Sequence, residues 1–86
     1  MPCVSRFYGI AIFLYYREHH PAHFHATYGD DEVVVAIETL AIIAGRLPAR
    51  ALGLVMEWAS LHQAELKEAW RHAVAMEPVE PIEPLR

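Results

Sequence analysis

HFHATYGDDEVVVAIE, residues 23–38, decides the fold of this chain. It contains two runs with many β-branched and aromatic residues, His23 to Tyr28 and Glu32 to Glu38, on either side of the turn-forming Gly29-Asp30-Asp31. Each run is long enough for a strand. The connection is too short for the crossover that parallel strands need. The stretch therefore predicts an antiparallel pair of strands.

Two further apolar runs lie on either side of this pair. Phe7 to Tyr16 reads as one strand, and both of its faces are apolar, which is typical of a strand buried on two sides. Ala41 to Ala44 can form a short fourth strand. Because every connection is short, we predict an antiparallel meander of three to four strands.

The second half of the chain predicts a helix. Pro48 suits a first helical turn. Ala49 to about Met76 consists mostly of good helix formers, and its apolar residues recur at intervals of three and four. One helix of this length would span about 42 Å at 1.5 Å per residue, so we expect a break or an overhang. The fold class is thus α+β, with a meander followed by one long C-terminal helix.

The last residues repeat the pattern Glu-Pro-x three times. Proline at every third position favours a polyproline II helix, which has three residues per turn. Val79, Ile82 and Leu85 would then share one edge, which we expect to pack across the domain or a partner. We therefore divide the chain into a single α+β domain, residues 1–76, and an extended proline-repeat tail, residues 77–86.

Composition narrows the classes of function. With 86 residues, 55% of them hydrophobic, the chain has one thin core and more apolar residues than it can bury, which predicts a homo-oligomer or a protein partner. The formal charge of -4 argues against a protein that coats nucleic acid, although not against an enzyme that grips RNA locally. Cys3 is the only cysteine, and the run from Phe7 to Tyr16 is too short to cross a membrane. We expect a cytoplasmic protein without a membrane partner.

Histidines mark the join between the first two predicted strands. Four of the six, His19, His20, His23 and His25, lie within seven residues. Alternate residues of a strand share a face, so His23 and His25 should lie side by side while Phe24 points to the opposite face. The pattern predicts a small polar site on the sheet.

Three interpretations of this cluster stay open. His23 and His25 can share a divalent metal ion if His19 or a neighbour supplies a third ligand, although no other cofactor is implied. The pair can instead provide the base and acid for metal-independent cleavage of RNA, with Arg17 holding the phosphate. In the third interpretation the histidines only stabilise the turn or contact a partner. His62, on the apolar face of the helix, could complete the site if the helix crosses the histidine pair.

The chain also resembles a family of short bacterial proteins that is catalogued as a domain of unknown function, DUF family 4160. The most specific part of the resemblance is Pro21-Ala22-His23-Phe24-His25-Ala26. Further matching pieces are Phe7-Tyr8-Gly9-Ile10, Gly45-Arg46-Leu47-Pro48-Ala49-Arg50, and Trp58 with His62, Glu65, Leu66 and Trp70. In this family an Asn often precedes the last Trp, where this chain has Ala69, so an activity that needs the Asn would be weakened or altered here.

The resemblance implies a function that the residues alone do not. Members of the family are often encoded beside a second small protein and are regarded as the toxins of toxin-antitoxin modules. By this resemblance, the histidines of the family motif correspond to His19, His23 and His25 of this chain. We therefore predict a toxin-like component of a bacterial two-protein module, which would act on RNA through these histidines and Arg17 and be held inactive by a small antitoxin-like partner. A non-catalytic interaction domain and a small metal-binding protein are the alternatives.

Overall fold

A computed structural model of the chain describes residues 3–15 and 21–86. It has an antiparallel sheet of five strands in the order β1-β2-β3-β4-β5, followed by two helices. The strands are Cys3–Phe7 (β1), Ile10–Phe13 (β2), His23–Tyr28 (β3), Asp31–Ala36 (β4) and Ile42–Arg46 (β5). The helices are Ala49–Leu61 (α1) and Gln63–Val74 (α2). The predicted α+β class and the antiparallel meander are confirmed.

The single strand predicted from Phe7 to Tyr16 is wrong. Phe7 ends β1 and pairs with Ile10, the first residue of β2, so Tyr8 and Gly9 form a two-residue hairpin turn. Both turn residues have positive φ, 50° and 81°, as the tightest hairpin connections require. Tyrosine is a rare residue at such a position, and the sequence therefore gave no turn signal there.

The single helix predicted from Ala49 to about Met76 is divided at His62, whose φ of -121° and ψ of 23° are not helical. The longest dimension of the molecule is 33 Å, so an unbroken helix of about 42 Å would extend beyond the body. Gln63 holds the start of α2 near the end of β4. Its amide donates hydrogen bonds to the backbone oxygens of Ile37 at 2.6 Å and Glu38 at 2.9 Å.

The core lies between one face of the sheet and the helices, and we call this sheet face the core face. Trp58 of α1 is fully buried there, with its ring centroid 5.4 Å from that of Phe7 and 6.0 Å from that of Phe24. Cross-strand pairing puts Ile12, Ala26 and Val33 on the same face. The buried cluster comprises Val4, Phe7, Ile10, Ile12, Leu14, Phe24, Ala26, Val33, Val35, Ile37, Leu47, Ala51, Val55, Trp58, Ala59, Leu66, Ala69, Trp70 and Ile82.

The proline-repeat tail packs against the domain. Ile82 is buried in the core cluster, and Val79 and Leu85 pack against that cluster, as expected for three residues on one edge. Two hydrogen bonds fix the path of the tail. The N–H of Ile82 donates to the oxygen of Val4 at 2.7 Å, and the indole Nε1 of Trp58 donates to the oxygen of Glu83 at 2.8 Å.

Candidate functional site

The histidine pair lies on the sheet face opposite the core face, and we call it the histidine face. Alternation along β3 turns Phe24 towards Trp58 and leaves His23 and His25 together on the other side, with their ring centroids 5.2 Å apart. The predicted juxtaposition of the two rings is therefore present. Phe13 of β2 and Val34 of β4 are the cross-strand partners of His25 and share its face.

His25 forms a pair with a carboxylate that the sequence analysis did not select. Its Nδ1 donates to Oε2 of Glu32 at 3.0 Å, because an ionised carboxylate only accepts. The two residues are diagonal neighbours, since Glu32 of β4 stands opposite Thr27. The histidine side chain is 13% exposed, whereas that of Glu32 is 47% exposed. This bond places the lone pair of the neutral imidazole on Nε2, the nitrogen that could act as a base.

His23 is more enclosed than His25. It is buried, and its Nδ1 donates to the backbone oxygen of Pro21 at 2.8 Å. A carbonyl oxygen only accepts, so the neutral ring again carries its lone pair on Nε2. Trp70 of α2 packs on the ring at a centroid distance of 5.2 Å. These contacts hold the ring of His23 in one orientation beside His25.

Aromatic side chains continue the site across the sheet. Tyr15 meets His25 edge to face, with centroids 4.3 Å apart, and Phe13 stacks on Tyr15 at 6.2 Å. The guanidinium carbon of Arg6 lies 6.0 Å from the centroid of Phe13, which is a cation–π distance. A cation on β1 is thus connected to the histidine pair through two rings. Alternation along the hairpin could have placed Phe13 and Tyr15 here, had the β1–β2 turn been recognised.

Two of the four predicted catalytic residues, Arg17 and His19, lie outside the described residues and remain predictions. Within residues 3–15 and 21–86, no group of three His, Cys, Asp or Glu side chains could hold a metal ion. The proposed metal site with His23, His25 and His19 is untested, since one of its ligands is not described.

The structure separates His62, His72 and Tyr28 from the pair. His62 packs against Trp58 with centroids 5.6 Å apart, and its Nδ1 lies 2.6 Å from a carboxylate oxygen of Glu65. Because α1 covers the core face, the suggestion that the helix brings His62 across the histidine pair is wrong. His72 pairs with Glu77 at the end of α2, at 2.8 Å. Tyr28 pairs with Ile10 on the core face.

The geometry suits proton transfer better than nucleophilic attack. A carboxylate that binds one imidazole nitrogen fixes the tautomer, orients the ring and stabilises the cation formed when the other nitrogen takes a proton. The rings of Tyr15 and His23 both contact the ring of His25. What the described residues assemble is therefore an oriented imidazole, with the carboxylate of Glu32 as its partner.

The comparisons with known proteins assign the chain to a family, but they do not indicate an activity. The model of the family described as "Domain of unknown function (DUF4160)" matches residues 9–71, and the chain belongs to this family. No curated protein and no solved structure matches the chain. In the described part of the chain, neither helix has the length and apolar character needed to cross a membrane.

Proposed function

We propose that this DUF4160 protein is the toxin-like component of a bacterial two-protein module and that it cleaves RNA with His25 as the general base. The observation that carries the proposal is the hydrogen bond of 3.0 Å between His25 and Glu32 beside a second, buried histidine. The pair lies outside the core with the Glu32 side chain 47% exposed, so it contributes little to stability, whereas an oriented imidazole is what proton abstraction needs.

The proposed reaction needs no metal ion. Nε2 of His25 takes the proton of a ribose 2'-hydroxyl, the 2'-oxygen bonds to the adjacent phosphorus, and the bond from phosphorus to the 5'-oxygen breaks. The leaving oxygen takes a proton, and the products are a 2',3'-cyclic phosphate and a 5'-hydroxyl end. We assign the acid to His19 and the phosphate-binding cation to Arg17, with Arg6 as a second cation on the same face. His23 keeps His25 in position.

The exposed edge of the sheet is our proposed surface for the small antitoxin-like partner. The tail occupies the side of β1 through the bond between Ile82 and Val4, whereas every residue of β5 is exposed. Ile42 and Ile43 are 48% and 46% exposed on this strand. An edge strand with apolar side chains favours the addition of a strand from another chain. If the protein lacks catalysis, this edge supports the alternative function of an interaction domain.

Bacterial growth after induction tests the toxin proposal. We expect the wild type to arrest growth and His25→Ala to lose the arrest at equal soluble levels. His72→Ala is the matched control, because it breaks a histidine–carboxylate pair of the same kind at the end of α2. Arrest by a folded His25→Ala variant would exclude His25 as the base, and normal growth with the wild type would exclude the toxin function.

The partner surface has a separate test. Replacing Ile42 and Ile43 by Lys should abolish binding of the proposed antitoxin-like partner, while the induced double variant still arrests growth. The same replacement at Leu61 and Val74, which are also exposed apolar residues but lie on the helices, is the control. Undiminished binding by the β5 variant would exclude this edge as the partner surface.

A further inference from the structure

A groove of about 530 Å³ lies away from the histidine face, between the β1–β2 turn, the start of α1 and the end of the tail. Its volume is within the range of small-ligand sites. The polar and aromatic lining consists of Tyr8, Tyr28, Arg50, Glu57 and Arg86, and Pro48, Ala51, Leu54 and Leu85 supply the apolar part. None of these residues has a role in the proposed RNA-cleaving site.

The two tyrosines give this groove aromatic surface that the fold does not use for packing. Tyr8 is 59% exposed and Tyr28 is 40% exposed. Tyr8 also adopts a φ of 50°, an unfavourable conformation for a bulky residue, in the turn that holds its ring at the groove. The ring of Tyr28 lies beside the adjacent Gly9, where a Cβ would be 3.4 Å from the ring carbon Cε1. Exposed rings of this kind provide stacking surfaces for a planar group.

Two arginines give the groove its anion-binding chemistry. Arg50, in the first turn of α1, has no ion pair with any described residue, and that turn contains no acidic side chain. Arg86 forms an ion pair with Glu83, and this hydrogen bond raises the pKa of Arg86. Guanidinium groups bind phosphate oxygens in a bidentate manner. The carboxylate of Glu57 can accept a hydrogen bond from a ribose hydroxyl or an amino group.

We propose that this groove binds a nucleotide unit, with the base against Tyr8 and Tyr28 and the phosphate against Arg50 and Arg86. Neither the tyrosine rings nor the arginines alone would select this ligand. An apolar ligand would leave the guanidinium of Arg50 without a partner, and inorganic phosphate would leave the rings unused. The unit could be a free nucleotide or one residue of an RNA strand. Nucleotide binding in this groove does not depend on His25, so it can be tested independently of the proposed RNA cleavage.

NMR titration of the ¹⁵N-labelled chain tests the assignment. The probes are 5'-AMP, adenosine, inorganic phosphate and a hexamer of adenylate RNA. We expect 5'-AMP to shift the amides of the β1–β2 turn and of the first turn of α1, and to bind at least tenfold tighter than adenosine or phosphate. Arg50→Gln and Tyr28→Leu should each weaken binding of 5'-AMP at least fivefold. Arg71→Gln is the matched control, because Arg71 is an exposed arginine paired with Glu68 on α2.

Each outcome decides something. Tighter binding of the hexamer than of 5'-AMP would support an RNA strand as the source, and equal or weaker binding would support a free nucleotide. Phosphate or adenosine binding as tightly as 5'-AMP would overturn the proposal, as would no shift in the groove at millimolar 5'-AMP. Folded Arg50→Gln and Tyr28→Leu variants that bind like the Arg71→Gln control would also overturn it. The His25→Ala variant should bind 5'-AMP normally, which separates this site from the cleavage site.

Discussion

Gly45 is the position where one added methyl group should damage the fold most. It lies in β5 with a φ of 73°, and a Cβ there would lie 2.1 Å from the backbone oxygen of Glu32, a separation that has to open to at least 3.0 Å. The left-handed conformation costs about 1–2 kcal/mol for a residue other than glycine. Overpacking adds about 1–3 kcal/mol. We therefore expect Gly45→Ala to lower the free energy of unfolding by about 2–5 kcal/mol.

That loss is large for a domain of this size, for which about 4–13 kcal/mol of total stability is ordinary. Urea denaturation, followed by tryptophan fluorescence, measures it. Two other glycines separate the causes. Gly29 has a φ of 60° but nothing within 4 Å of an added Cβ, so Gly29→Ala should cost only the conformational part. Gly53 lies in α1 with open space around it, and Gly53→Ala should stabilise the protein by about 0.5–1 kcal/mol. If Gly45→Ala and Gly29→Ala lower the stability equally, the close contact with Glu32 does not exist.

Three further substitutions test the packing of the tail and the helices. Trp58→Phe removes the hydrogen bond to the oxygen of Glu83 and part of a buried ring, so urea denaturation should show a free energy of unfolding lower by about 1–3 kcal/mol. A protease should also cut the tail faster, and an unchanged cleavage rate would contradict this. Gln63→Ala removes two hydrogen bonds to the β4–β5 connection and should lower the free energy of unfolding by about 1–2 kcal/mol. A decrease below about 0.3 kcal/mol, roughly the additivity error, would show that the two hydrogen bonds contribute nothing. Arg86→Gln should raise the pKa of Glu83 in a carbon-detected NMR titration, because the hydrogen bond and the charge of Arg86 lower that pKa. The contribution of this pair to stability is present above the pKa of the carboxyl in the unfolded chain, and it is lost as the pH falls through the pKa in the folded protein. An unchanged Glu83 titration would show that the pair does not form.

The part of the fold that the sequence predicted depends on local signals. The hairpin of β3 and β4 has a turn of Gly and Asp residues between two runs of clear strand character, so its pairing follows from residues close in the chain. Alternation along β3 then places His23 and His25 on one face, which the structure also shows. The spacing of Val79, Ile82 and Leu85 is also a local pattern, and it predicted the shared edge that packs against the core cluster.

The features that the sequence did not predict depend on contacts between distant residues. Tyr8 forms a hairpin turn although its residue type disfavours that conformation, and no local pattern reveals this. The length of the predicted helix indicated a break or an overhang, but the position of the break at His62 follows from the bonds of Gln63 to the residues after β4. Glu32 becomes the partner of His25 only through the register between β3 and β4, because the two residues are seven positions apart in the sequence.

The most direct test of the central claim is the incubation of purified protein with single-stranded RNA in the presence of a metal chelator. The wild type should release fragments with 2',3'-cyclic phosphate ends and should leave the same strand intact when its 2'-hydroxyls are replaced by hydrogen. Folded His25→Ala should be inactive. Glu32→Gln keeps an acceptor for Nδ1 without the negative charge, so it should cut at least tenfold more slowly. Equal cleavage by the wild type and folded His25→Ala, or no cleavage by either, would contradict the assignment of His25 as the base.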